Sequence, residues 1–206
     1  MPVQVVDHPL ARHYLTHLRD ETTKPALFRT LARKITTVLA IEALRDLRMA
    51  QLHVRTPMEE TWSPVLDEEI VVVPILRSGL CMLDPVVELL PEVAVGYIGL
   101  ERDERTAVAE AYYRKLPVLS GRTALALDPM LATGGSATRA LRDLVDGGCS
   151  RVTLLCVVAA PEGVRAVEEE FPRVRIVTAA MDRGLDERKY IVPGLGDFGD
   201  RLYGTL

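Results

Sequence analysis

Cysteine is scarce in this sequence, at three of 206 residues, and Cys81, Cys149 and Cys156 are odd in number and lack metal-ligand spacing. That excludes a disulfide framework and reads as reduced core thiols of a cytosolic protein. Basic excess is also missing. Lys and Arg total 25 against 29 Asp and Glu, for a formal net charge of -4, and no basic stripe runs along the chain. Nucleic acid is therefore not an expected partner. The longest apolar run, Val152 to Ala160, is bounded by Arg151 and Glu162. It is too short to span a membrane and suits a buried strand. The opening Met1-Pro2-Val3-Gln4 has no basic region leading into an apolar run, so no secretion signal is expected and the cytoplasm is the expected location. Repeats, low-complexity tracts and long linkers are absent. With 48% hydrophobic residues, the chain can bury one good core, and a single domain over 1–206 is expected.

The first 60 residues read as helical: from Phe28, Leu31, Ile35, Val38 and Leu39 recur at helical spacing, and Ile41, Leu44 and Leu47 prolong the stripe. The middle changes character. Ile70 to Leu76 is a continuous apolar run rich in β-branched residues, and similar runs follow at Val93 to Leu100, Ala124 to Leu127, Val152 to Ala159 and Ile176 to Ala180. Strands buried on both faces have this composition. Helices are predicted between them at Ser136 to Val145, stopped by Gly147-Gly148, and at Pro161 to Phe171. The alternation implies an α/β fold with a mainly parallel, twisted sheet flanked by helices. Ligands of such sheets bind beyond the carboxyl ends of the strands, which directs attention to the loops after Leu76, Leu100, Leu127 and Ala180. Residues 101–117, charged and then aromatic, break the rhythm and read as an exposed arm or hairpin. Residues 184–206 are glycine-rich and read as a structured cap.

The most informative segment is Asp128-Pro129-Met130-Leu131-Ala132-Thr133-Gly134-Gly135-Ser136, which follows an apolar strand and opens a helix. Glycines let a backbone approach an anion, Thr133 and Ser136 add hydroxyl donors, and the free N–H groups of the helix start complete a phosphate cradle. On the glycines alone, a plain helix N-cap fits as well. The acid at the strand's end decides between them, because Asp128 is unsuited to phosphate but can accept from sugar hydroxyls. Phosphate and diol side by side describe a ribose 5-phosphate. No lysine follows Gly134-Gly135-Ser136, so this is not a Walker A loop, and no G-x-G-x-x-G follows any strand.

This segment resembles the phosphoribosyl-diphosphate (PRPP) loop of type I phosphoribosyltransferases, and with Pro129 in place of a second acid it is similar to that of the uracil phosphoribosyltransferase branch. The resemblance runs from Asp7-His8-Pro9-Leu10 to the end. It implies a type I phosphoribosyltransferase fold with a mobile arm at 101–117 and a uracil-binding hood at 184–206. The implied reaction is uracil plus PRPP giving UMP and diphosphate, in pyrimidine salvage. Val73-Pro74-Ile75-Leu76-Arg77-Ser78-Gly79 matches the diphosphate loop and makes Arg77 a PRPP ligand. Ser78 stands where alanine is more common. Arg102 matches the arm's diphosphate contact, whereas its neighbour Arg105 reads as solvated. In Tyr190 to Arg201, Ile191, Gly196 and Phe198 match main-chain uracil contacts. Phe198 replaces a frequent alanine, and Asp197 matches a PRPP-site acid that also borders the base. The implied PRPP site is thus Arg77, Arg102, Asp128, Pro129, Met130, Leu131, Ala132, Thr133, Gly134, Gly135, Ser136 and Asp197, with Asp128, Arg102 and Asp197 at the chemistry.

Magnesium is expected to arrive on the PRPP diphosphate with few or no protein ligands. The proton of uracil N1 has three candidate destinations: Asp197, water, or prior loss from the base. The resemblance also implies a GTP effector, at a site the sequence does not locate, and the N-terminal apolar stripe points to a homo-oligomer. His13 and His17 lie one helical turn apart near His8, but no Glu or Cys completes a metal site, so a surface or packing role is expected. Two alternatives carry less. RNA-binding attenuators of this fold have a two-acid loop, and purine enzymes lack the hood motif.

Overall fold

The computed structural model of the chain describes residues 3–102 and 109–205. In chain order the elements are β1 (Gln4–Val5), α1 (Pro9–Arg19), α2 (Pro25–Ala43), β2 (Met49–Arg55), β3 (Glu60–Leu66), β4 (Ile70–Leu76), a short 3-10 helix (Ser78–Met82), α3 (Leu83–Leu89), β5 (Ala94–Val95), β6 (Tyr97–Arg102), β7 (Ala109–Lys115), β8 (Thr123–Leu127), β9 (Met130–Leu131), α4 (Gly135–Asp146), β10 (Arg151–Ala159), α5 (Pro161–Glu170), β11 (Arg175–Met181), β12 (Gly184–Leu185), β13 (Ile191–Val192) and α6 (Phe198–Tyr203).

The main sheet runs β1-β11-β10-β8-β4-β6-β7, with β5 beside β4 and β9 beside β10. Its pairs are parallel except β6 with β7, which form an antiparallel hairpin. Every residue of β8 is buried, and its side chains divide by period two. Leu125 and Leu127 join α1, α2, α3 and α6 in one core layer, while Ala124 and Ala126 face α4 and α5 in the other. Helix starts follow local chemistry. Proline occupies the first turn of α1, α2 and α5, where its missing N–H costs nothing, and the His8 side chain accepts the Leu10 N–H to cap α1.

The helical reading of the first 60 residues holds for Pro9–Arg19 and Pro25–Ala43 and fails on either side, where Gln4–Val5 joins the edge of the main sheet as β1. Ile41, assigned to the buried stripe, is 52% exposed, and residues 49–66 form the antiparallel hairpin β2–β3 in register from Met49↔Leu66 to Arg55↔Glu60. Its turn is tied by Thr56 Oγ1, which accepts the N–H groups of Met58 and Glu59. Of the arm expected at 101–117, residues 103–108 lie outside the described residues; β7 on its far side pairs antiparallel with β6, with an irregularity between Gly99 and Leu100. No helix among the described residues is long and apolar enough to cross a membrane.

Candidate active site

Three chain segments meet at the carboxyl end of the sheet. The first is the turn after β4. The strand is buried through Ile75, and the chain then exposes Arg77 as it enters the 3-10 helix. Gly79 makes this turn possible, because a Cβ there would lie 2.2 Å from the Leu127 carbonyl oxygen, at the end of β8. The Leu76–Arg77 peptide bond is cis, as is Val192–Pro193.

The second segment is the loop from β8 to α4. Asp128 leaves the strand with its N–H on the Leu155 carbonyl at 3.1 Å, and its side chain is buried at 7% exposure. The Met130 N–H donates to its Oδ1 at 3.4 Å, a long contact that offsets little. Burial in a medium poor in compensating charge pushes the carboxyl up to about 7. Pro129 is not among the residues lining the cleft; its carbonyl accepts the Val157 and Val158 N–H groups and ties the loop to β10. Gly134 then adopts a left-handed φ of 86° at the N-cap of α4, where a Cβ would lie 2.8 Å from that of Ala166. Gly134 has no side chain to cap α4, and among the described residues only a long 3.5 Å contact from the Gly135 N–H to Thr133 Oγ1 reaches the helix start, so the first turn can still present amides to an anion. The helix starts at Gly135, one residue earlier than the sequence pattern suggests.

The third segment is the C-terminal cap. β12 and β13 pair antiparallel, and the chain then passes Gly194 and Gly196 into α6. Asp197 is the N-cap of α6, its Oδ1 accepting the Asp200 N–H at 2.9 Å. Phe198 is 2% exposed, with its ring edge-on to Phe28 at a centroid distance of 5.1 Å. Its side chain therefore belongs to the core, and what it offers the cleft is main chain.

Together these segments enclose a cleft of about 330 Å³ lined by Arg77, Ser78, Asp128, Met130 through Ser136, Asp197 and Phe198, among others. A cavity of about 250 Å³ shares Met130, Ala132, Asp197 and Phe198 with it and adds Ile191 and Gly196. Residues named from the sequence thus gather at one place. Arg102 closes β6, but its side chain lies outside the described residues, as does Arg105. Sequence reasoning found no sign of Arg188 and Lys189, which line the second cavity with Tyr190, the first residue of the hood motif, immediately before Ile191. It also missed Arg19 and Asp182, an ion pair beneath the hood with no local sequence signal. Among the described residues no three His, Cys, Asp or Glu side chains group as a metal cage.

A parallel sheet, an uncapped helix start behind a Thr-Gly-Gly-Ser loop and an acid at the strand end define the type I phosphoribosyltransferase class. The chain superposes on a hypoxanthine-guanine phosphoribosyltransferase of Bacillus anthracis with a TM-score of 0.51 over 77% of this chain and 80% of that one, at 11% identity, a likeness of fold. It superposes far more closely on the AQ2163 protein of Aquifex aeolicus, with a TM-score of 0.94 and 38% identity over 98% of each chain. The sequence model described as uracil phosphoribosyltransferase matches residues 5–205. The uracil phosphoribosyltransferase of a Nocardioides species is 51% identical across the full length of both chains. The chain belongs to the uracil phosphoribosyltransferase family.

Proposed function

We propose that this chain transfers the 5-phosphoribosyl group of PRPP to N1 of uracil, giving UMP and diphosphate, and that the cleft and its adjoining cavity are where it does so. The observation that carries the assignment is the placing of a buried Asp128, met by one long contact from the Met130 N–H, beside the glycine-capped start of α4. The α4 amides and the Thr133 and Ser136 hydroxyls take the 5-phosphate, and Asp128 accepts from the ribose hydroxyls. Arg77 and Arg102 stabilise the departing diphosphate. The hood main chain at Ile191, Gly196 and Phe198 holds uracil in the second cavity. The glycosidic C–O bond of PRPP breaks as the bond from N1 forms, so most of the rate gain comes from placement and from charge held ready for the leaving group.

Magnesium fits this arrangement as a companion of the diphosphate. Among the described residues Asp128 has no cationic contact, and a diphosphate-borne ion needs few protein ligands. When bound, Mg²⁺ neutralises diphosphate charge. Asp197 caps α6 through Oδ1 while lining both cavities, so it holds the hood against the PRPP site; the N1 proton passes from the base to this carboxylate or to water.

The chain also pairs with a second copy. The β2–β3 hairpin leaves Leu52 50%, Trp62 66% and Met58 92% exposed, and a lone two-stranded ribbon with apolar side chains in water is marginally stable. The cytoplasm suits its free cysteines, two of which burial raises to about 12. Diphosphate release from PRPP in the presence of uracil, with UMP identified by mass, tests the activity directly.

A further inference from the structure

Beneath the hood, Arg19 at the end of α1 meets Asp182 just past the end of β11. Its Nη2 donates to Asp182 Oδ1 at 2.6 Å and its Nη1 to Oδ2 at 2.8 Å, a two-pronged contact. The same Nη1 donates to the Gly194 carbonyl at 2.6 Å, and Asp182 Oδ2 accepts the Gly194 N–H at 2.9 Å. Both main-chain polar groups of Gly194 are therefore gripped by one partly buried ion pair, whose side chains are 25% and 5% exposed. Gly194 lies between Ile191 and Gly196, two of the residues that line the second cavity.

We infer that Arg19 and Asp182 are positioning residues for base selection: they fix the peptide planes of the hood turn so that its N–H and C=O groups meet the uracil edge with set polarity. The inference rests on the hood being the uracil site. A main-chain reader discriminates only as well as its backbone is held, because a peptide free to rotate presents a donor or an acceptor at will. Neither side chain lines the cavity, so neither is needed to touch the base. A guanidinium is required rather than an ammonium. Three contacts in different directions, two to Asp182 and one to Gly194, need a planar fork.

The test uses full-length Arg19→Lys and Asp182→Asn, with KM for uracil and PRPP, kcat, thermal midpoint, and the inhibition constant of cytosine against uracil. We expect uracil KM to rise about tenfold and the cytosine-to-uracil discrimination to fall about tenfold or more, with PRPP KM changed less than about threefold. Arg19→Lys keeps the charge and carries the test if Asp182→Asn fails to fold. Folded variants that lose thermal stability but keep wild-type discrimination, or whose uracil and PRPP KM rise in parallel, would overturn the inference. A parent enzyme that made no UMP would instead remove the reading on which it rests.

Discussion

The hydroxyl of Tyr203, on α6, donates to the backbone carbonyl of Arg77 at 3.3 Å. This contact ties the hood to the turn after β4, which faces it across the cleft. Tyr203 is 45% exposed, so the bond is of modest strength. Tyr203→Phe should lower the thermal midpoint by a few degrees at most, as loss of about one net hydrogen bond requires, and raise PRPP KM by about threefold while leaving uracil KM nearly unchanged. Initial-rate kinetics in both substrates check this, and equal effects on the two KM values would remove the coupling.

Asp128 makes an opposed pair of predictions. Its carboxyl is near 3.8 in the unfolded chain and about 7 in the folded one, so the native state holds a proton across that window that the unfolded state has released. Stability contributed by this proton is present at low pH and lost as pH rises to about 7, after which the cost of the buried charge is complete. Asp128→Asn should match the parent below about pH 4 and be more stable by about 1–4 kcal/mol above pH 7. The same variant should lose about 10²-fold or more in activity, since it forfeits a charge-assisted contact to the ribose. In the parent, PRPP affinity should improve as pH rises through about 7. Denaturation followed across pH, beside PRPP titrations, checks both limbs.

The sequence pattern carried the sheet core and the phosphate loop because both are local signals. β4, β8, β10 and β11 are buried on two faces and read as unbroken apolar runs, and Asp128 through Ser136 are contiguous. The β2–β3 hairpin escaped notice because both its faces meet solvent, which removes the alternation that marks a strand, and because Ile41, Leu44 and Leu47 prolong a helical stripe past its true end. Arg19 and Asp182 are 163 residues apart, and only the fold brings them together. The direction of the Phe198 ring was likewise illegible: a residue in a base-binding motif turned out to spend its side chain on Phe28.

That orientation separates stability from selectivity at one position. Phe198→Ala should cost about 3–5 kcal/mol through lost burial and the cavity left beside Phe28. The preference for uracil over cytosine should survive, because the ring is packed on Phe28. Chemical denaturation measures the first effect and product analysis with each base the second. A switch in base preference would show that the ring, and not the backbone, reads the base.

The exposed hairpin predicts self-association. The parent should sediment as a dimer or larger species at about micromolar concentration, and Met58→Ser combined with Trp62→Ser should shift it towards monomer, since both side chains leave large apolar area in water. A monomeric parent would leave the apolar ribbon without the proposed partner.

The base joined to the sugar is what the hood and the cleft together must decide. Diphosphate release from PRPP, measured with uracil, 5-fluorouracil, cytosine, hypoxanthine and adenine in turn, examines it directly. Uracil offers acceptor, donor and acceptor at O2, N3–H and O4. Cytosine reverses two of these, and a clamped backbone cannot invert its own polarity. Uracil and 5-fluorouracil should release diphosphate and yield the nucleoside monophosphate, while cytosine falls as much as about 10⁴-fold lower and the purines give nothing. Comparable turnover with cytosine or with a purine would contradict that choice of base.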